Sequence, residues 1–582
     1  MSWLDFAILF GYLLSTVIHG LWFYKKSDSP DQFMAGGGKI PAWAAGLSVL
    51  GTFLSSVTFL TYPGYACLEN WNKLVFALTL PFGALFAVYV FIPFYRRMGV
   101  ISIFSYLERR FNTAARVYGN LCMFLGQVGR AGFSLYLVAA ALVTIMRLTD
   151  LHWFSAENWI LVTILLIGAV VTAYTLLGGI EAVIWTDVVQ VVILVGGALL
   201  CLLLLTLETP GGLTGLLGHA WSHGKLSLAD WNPKTHSSGS VFDLHLASAT
   251  FLVTFLFGLF ENLRNYNFEM VYVQRYATVP SVRAARRSVW LSVAMYIALT
   301  VVFLLIGTAL NGYYSQSAEL HRQIAGLNHE QVFPQYIGGL PPGVRGLLLV
   351  AILAAGISTV DSSFNVVATI FFTDIFRRFL QPTPAVAAPA PTSTPAAPAT
   401  GHEAAVLRLS TYVMGGVSIG FACACINNKS ILDLIWGFAG LAGSGLVGLF
   451  LLGIFLPRAQ ARDAWFSILV GTPLVVAFFL WASPPAWLAV LCAQHLPANF
   501  LAFLQRWGLE RSPLHVSLTL PVGVLLHFGL GAVASLIPHR APVADAESSS
   551  AVAARRAEAH ALTIFGFHAA KRAGNDMAPE PE

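Results

Sequence analysis

The stretch Ala351-Ile-Leu-Ala-Ala-Gly-Ile-Ser-Thr-Val-Asp-Ser-Ser-Phe-Asn365 sits in the middle of an apolar segment long enough to cross a bilayer. A carboxylate and several hydroxyls at that depth are costly, roughly 2.5–3.5 kcal/mol for the Asp on insertion scales, so they are expected to face a cavity or an ion. On a helix Ala355, Ser358, Thr359, Asp361 and Ser362 fall at i, i+3, i+4, i+6 and i+7, which is one stripe. The oxygen atoms of this segment therefore share a face, and Asp361 is the first functional candidate.

Working outward, the whole chain shares this apolar character: 57% of its 582 residues are hydrophobic and only 10% charged. Soluble domains average about 45–50% and about 25%, so the class is a polytopic, all-α membrane protein. The six cysteines lie mostly in or beside apolar segments without Cys-x-x-Cys or Cys/His ligand spacing, and read as thiols. A net charge of +5 would suggest a nucleic-acid partner in a soluble chain. Here the basic residues punctuate hydrophobic spans and report topology.

About 13 apolar runs approach or exceed the ~20 residues a bilayer requires. Residues 1–25 form an extra helix, preceded by no basic region and so expected to be retained rather than cleaved. Residues 41–206 and 246–456 hold five helices each, and 457–540 two more with an interfacial segment between them. Alternate connections carry 22 Lys and Arg, Arg116 and Arg275 among them, against nine on the other side, which predicts an inner-membrane protein with its amino terminus outside and carboxyl terminus cytoplasmic. The linker 381–400 holds six prolines among Ala and Thr and reads as extended, solvated chain. The tail 541–582, rich in Ala with both charge signs, has the composition of a disordered segment.

The run Asp31-Gln-Phe-Met-Ala-Gly-Gly-Gly-Lys-Ile-Pro-Ala-Trp-Ala-Ala-Gly-Leu-Ser48 resembles the entry to the first core helix of the sodium/solute symporters, the carriers of sugars, proline, iodide and sialic acid. Leu177-Gly-Gly-Ile-Glu-Ala-Val-Ile-Trp-Thr-Asp-Val-Val-Gln190, Val273-Gln-Arg-Tyr276 and Thr373-Asp-Ile375 extend the likeness, which covers roughly residues 3–480. The resemblance implies two inverted five-helix repeats, each opening with a helix interrupted at mid-membrane. Breakers are present: Gly46, Gly51, Ser55, Ser56 and Pro63-Gly64 in one, Gly258, Glu261-Asn262 and Asn265 in the other. Such breaks are tolerated only where freed backbone groups meet an ion, a substrate or protein. A single Gly, by contrast, is often present only for close helix packing.

Sodium is a hard cation that asks for oxygen ligands. By resemblance its common site falls on the carbonyls of Gly51 and Leu54 with Ala355, Ser358 and Thr359 from the eighth core helix. A second sodium would fall on Asp187, Asp361 and Ser362, although Asp361 stands where some relatives carry a hydroxyl and could take a proton instead. Asp187 could also merely complement a helix dipole. Arg130, among Gly126, Gly129 and Gly132, lies too deep to snorkel and must find an anion. Sialic acid carriers place an Arg at the matching point to hold the substrate carboxylate, with Ser55, Ser56 and Thr58 nearby. The rival arrangement is a buried Arg130–Asp361 pair.

No phosphate-binding loop, His-Glu-x-x-His or Gly-x-Ser-x-Gly occurs, which argues against ATP-driven pumping and intramembrane enzymes. The expected function is sodium-coupled symport of a small organic anion, sialic-acid-like or a smaller monocarboxylate, by alternating access. A sugar symporter and a transporter-like sensor are the alternatives, the latter lacking an output domain in a tail of this size. Substrate, stoichiometry and oligomeric state are left open by the sequence.

Overall fold

Where lipid offers no hydrogen bonds, a chain this apolar must satisfy its backbone within helices. The computed structural model describes residues 2–24, 34, 36–98, 102–146, 153–232, 235, 237–380, 401–426, 431–483, 512–537 and 562–563. The Pro-rich linker, the interfacial segment over 484–511 and the tail beyond 541, save Leu562 and Thr563, lie outside the described residues.

Helix α1 (Trp3–Tyr24) stands before two sets of five. The first set is the broken pair α2 (Ala42–Phe53) and α3 (Ser56–Leu68), then α4 (Leu74–Arg96), α5 (Thr113–Met146), α6 (Ala156–Ala173) and α7 (Gly179–Glu208). The second is the broken pair α8 (Phe251–Phe268) and α9 (Met270–Ala277), then α10 (Val282–Tyr314), α11 (Val344–Leu380), α12 (Ala405–Ala424) and α13 (Leu434–Phe455). Helices α14 (Ala461–Ala482) and α15 (Val516–Ala534) follow, and α15 packs on α13. Eleven described helices are long and apolar enough to cross a membrane, and the α2/α3 pair makes a twelfth. The α8/α9 pair stands as the thirteenth span only on position, because Glu261, Arg264, Glu269 and Arg275 remove its apolar signature.

Helices α2 and α3 meet at 59°, with the non-helical Leu54 and the extended Ser55 between them. The break is thus confirmed near Ser55. In the second set it differs from the expectation: α8 runs unbroken through Gly258, Asn262 and Asn265, and the chain turns at Glu269 (φ −99°, ψ 113°). The side chains explain this. Asn262 and Asn267 donate to carbonyls of the first set, Asn262 to Phe76 and Asn267 to Gly83, so they dock an intact helix instead of opening it. Between α6 and α7 the chain folds at Gly179, whose φ of 62° and ψ of −172° only glycine adopts without strain. A two-stranded antiparallel sheet pairs Trp231–Asn232 with Ser237–Ser238.

Helix α11 lies at the centre. Every residue from Leu348 to Ile370 is buried, and it packs on α7, α5 and α1. Glycines allow such approach: a Cβ on Gly356 would come within 2.3 Å of Val138 on α5. A helix buried all round needs no polar outer face, so its hydroxyls and carboxylate can be directed at partners.

Candidate substrate and ion sites

Two clusters form along α11. In the first, Ser358 Oγ donates to the Gly51 carbonyl at 3.1 Å and to the Ala355 carbonyl at 3.1 Å, while Thr359 Oγ1 lies 3.3 Å from the latter. Gly51 sits in the last turn of α2, directly before the break, where carbonyls run out of helical donors. Four of the five residues expected at the common sodium site are thereby assembled. Leu54, fully buried, caps α2 by donating its N–H to Leu50 O at 2.8 Å. The donor set is oxygen only and uncharged, which suits a hard monovalent cation. Gly51 also serves packing, since a Cβ there would meet Val191 at 2.9 Å.

The second cluster lies one to two turns further along α11 and is charged. Arg275, fully buried in α9, donates from Nη2 to Asp187 at 2.9 Å and to Ser362 Oγ at 2.7 Å, and from Nε to Ser48 Oγ at 2.7 Å. Ser48 in turn donates to Asp187. Asp187 and Ser362 are therefore brought together, as expected, but around a guanidinium of the chain itself. Asp361 is fully buried, and it and Asp187 both bear electrostatically on Tyr12 of α1. Sequence reasoning counted Arg275 among the topology-setting charges of a connection; the residue is instead the hub of a buried network. Arg116, counted the same way, is buried against Asp374 and Glu108.

Beside the first cluster opens a cavity of about 160 Å³, lined among others by Ser55, Thr58, Arg130, Tyr272 and Thr359. Arg130 donates to the Thr52 carbonyl and, at 2.8 Å, to the Tyr272 hydroxyl, and lies over the Tyr272 ring at 5.4 Å. Among the described residues it enters no ion pair, so the alternative of an Arg130–Asp361 bridge is not realised. Ser56 departs from expectation: its hydroxyl meets Ser134 Oγ at 3.0 Å, against α5 and away from the cavity lining. The turn at Ser55 explains the split, because once a helix restarts, consecutive side chains diverge by about a quarter turn.

Sequence reasoning missed the far part of this cavity. Arg264 donates from Nε and Nη2 to Glu261 at 3.0 and 2.7 Å and from Nη1 to Glu269, which also accepts from Gln127. All three line the cavity. The available signal was their density, since three ionisable residues within nine positions of a span are rare without a function.

Two five-helix sets, each opening with a helix broken at depth, and an oxygen cluster abutting a charged cavity define a secondary transporter of the alternating-access class. The chain belongs to the sodium:solute symporter family, whose model matches residues 33–471. It is accordingly a multi-pass, sodium-coupled membrane carrier and not an enzyme. It is 31% identical over 479 residues to the sodium/sialic acid symporter SiaT of Proteus mirabilis, covering 82% of this chain and 89% of that protein. It is 30% identical over 481 residues to the sodium/sialic acid symporter NanT of Aliivibrio fischeri, covering 82% and 87%. A solved structure of a Na⁺-coupled sialic acid symporter, substrate-bound and outward-open, superposes with a TM-score of 0.72 at 28% identity, covering 92% of this chain and 98% of that one.

Proposed function

We propose that this protein imports a carboxylate-bearing solute, sialic-acid-like, together with sodium. The observation that carries this reading is the position of Thr359: it belongs to the uncharged oxygen cluster and also lines the cavity that holds Arg130. An ion at the first cluster and a carboxylate on Arg130 would then share a wall, and each would raise the affinity for the other by the same factor. Gly51, Leu54, Ala355, Ser358 and Thr359 would hold the sodium, and Ser55, Thr58 and Arg130 the substrate. Similarity to two sialic acid symporters supports the substrate class. The basic connections would face the cytoplasm, so that the membrane potential, worth about 2.3 kcal/mol per charge per 100 mV, drives entry.

At the second cluster the residues do not favour a further sodium. Asp187 and Ser362 already engage Arg275, and the geometry leaves the guanidinium in the cation's place.

The test is Arg130. A guanidinium binds carboxylate through two parallel N–H donors, a fork that Lys lacks. In proteoliposomes under an inward sodium gradient Arg130→Ala should weaken uptake of N-acetylneuraminate at least tens-fold, as expected when about 2–5 kcal/mol of a buried charge contact is lost, and Arg130→Lys should not restore it. The wild type should also reject the neutral carboxamide. Equal binding of acid and carboxamide would refute a carboxylate reader at Arg130, and a panel of short monocarboxylates in the same assay separates the smaller substrate class.

A further inference from the structure

The cavity holds two guanidinium groups in opposite circumstances. Arg130 donates hydrogen bonds only to a carbonyl and a phenol among the described residues, with the Glu269 carboxylate acting on it across the cavity. Arg264 is gripped by two carboxylates, Glu261 through both oxygens and Glu269 through one. Two ionised carboxylates around one guanidinium give that part of the lining one negative charge in excess, balanced across the cavity by Arg130, which a bound carboxylate would engage. That part therefore cannot serve as a second anion receptor. Glu261 and Glu269 still have lone pairs to offer, since a carboxylate carries about four acceptor positions and, among the described residues, these accept only from Arg264, Asn265 and Gln127. The side chain of Glu261 retains 11% exposure within the membrane-embedded core, which the cavity supplies.

We infer that Glu261 and Glu269 form an acceptor subsite that selects ligands bearing one carboxylate and, at the far end, hydrogen-bond donors in the form of hydroxyl or ammonium groups, and excludes ligands with a second carboxylate. This rests on the reading of Arg130 as the carboxylate receptor and adds to it the chemistry of the other end. A donor meeting a buried carboxylate gains a charge-assisted bond, whereas a second anion meets like charge in a low-dielectric cavity. A plain apolar monocarboxylate would leave the two glutamates desolvated without a new partner. The subsite thus separates polyhydroxylated or amino acids from simple short-chain acids on physical grounds.

The experiment uses the purified full-length protein in detergent with saturating sodium, titrated calorimetrically with four ligands. These are N-acetylneuraminate, its counterpart O-methylated along the glycerol chain, its free-amine counterpart, and a counterpart whose chain ends in a second carboxylate. In the wild type, methylation should weaken binding about tenfold or more, the amine should bind at least as tightly as the acetamide, and the dicarboxylate should fall at least as far as the methylated ligand. In Glu261→Gln the penalty for methylation should shrink to about threefold or less, and binding of the dicarboxylate should improve, because Arg264 is released from one partner. That gain cannot arise from misfolding, and Glu269→Gln provides an independent variant with the same expected direction. Equal penalties in wild type and both variants would overturn the subsite, as would a wild type indifferent to methylation. The acid-against-carboxamide comparison on Arg130 reports separately: its failure with the Glu261 effects intact removes the carboxylate receptor and leaves the acceptor subsite. If neither N-acetylneuraminate nor a short hydroxymonocarboxylate binds the wild type, both readings fall.

Discussion

The two clusters along α11 both draw on hydroxyls of that helix, Ser358 and Thr359 in one and Ser362 in the other, yet they solve opposite problems. At Ser358 and Thr359 all the converging polar atoms are neutral oxygens, a set that suits a cation supplied from outside. Around Asp187 and Ser362 the chain supplies its own cation, Arg275, which is tied to α7, α2 and α11 at once. An ion that must bind and leave belongs at the first kind of site. A guanidinium that cannot leave the chain makes the second kind a fastener between the repeats, one whose breakage would be expensive.

The largest expected effect follows from that contrast. Arg275→Gln strands a fully buried Asp187, and removing one partner of a buried pair typically costs about 3–5 kcal/mol. The purified variant should show a clearly lower thermal unfolding midpoint in detergent and a reduced monodisperse yield. Asp187→Asn combined with Arg275→Gln should recover most of the loss, since no charge then remains unpaired. An Arg275→Gln protein as stable as wild type would mean that the pair does not fasten the repeats.

Smaller and different in kind is the effect at the neutral cluster. Ser358→Ala and Thr359→Ala remove one oxygen each without stranding a charge, so folding should persist. The sodium concentration for half-maximal uptake should rise about five- to tenfold in each, the worth of roughly 1 kcal/mol per lost contact. Substrate affinity should fall alongside it and partly recover at high sodium, because the coupling is reciprocal. Unchanged sodium dependence in both variants would remove the ion from this cluster and erase the comparison.

Much of this was legible in the sequence, for identifiable reasons. Spans announce themselves by hydropathy, and the break at Ser55 by Gly51, Ser55 and Ser56 clustered before Pro63-Gly64. The stripe Ala355, Ser358, Thr359 follows from helical period alone. What failed required knowing partners. Arg275 lies near a helix end in sequence, where a basic residue usually marks topology, and only the fold shows Asp187 and Ser362 arriving from α7 and α11. Asn262 and Asn265 read as breakers because polar residues in a span either open it or dock it, and composition does not distinguish the two. Ser55 and Ser56 are adjacent, so only the backbone turn between α2 and α3 decides which one faces the cavity.

The smallest expected effect is the one that sharpens the contrast most. The resemblance to sodium carriers places a second ion at Asp187, Asp361 and Ser362, whereas the geometry fills the space between Asp187 and Ser362 with Arg275. If the guanidinium is the resident cation, uptake by the wild type should depend on sodium with a Hill coefficient near one. Asp361→Asn is nearly isosteric and leaves the Arg275 contacts to Ser48, Asp187 and Ser362 in place. It should leave that coefficient near one and shift the half-maximal sodium concentration by less than about threefold, below the cost of a single lost ligand at the neutral cluster. A wild-type coefficient near two that falls to one in Asp361→Asn would return the second sodium to this cluster and make Arg275 a movable occupant. A pH dependence of uptake that disappears in Asp361→Asn would assign the carboxyl a proton instead. Sodium flux counted per substrate molecule in proteoliposomes decides between one ion and two without reference to any variant.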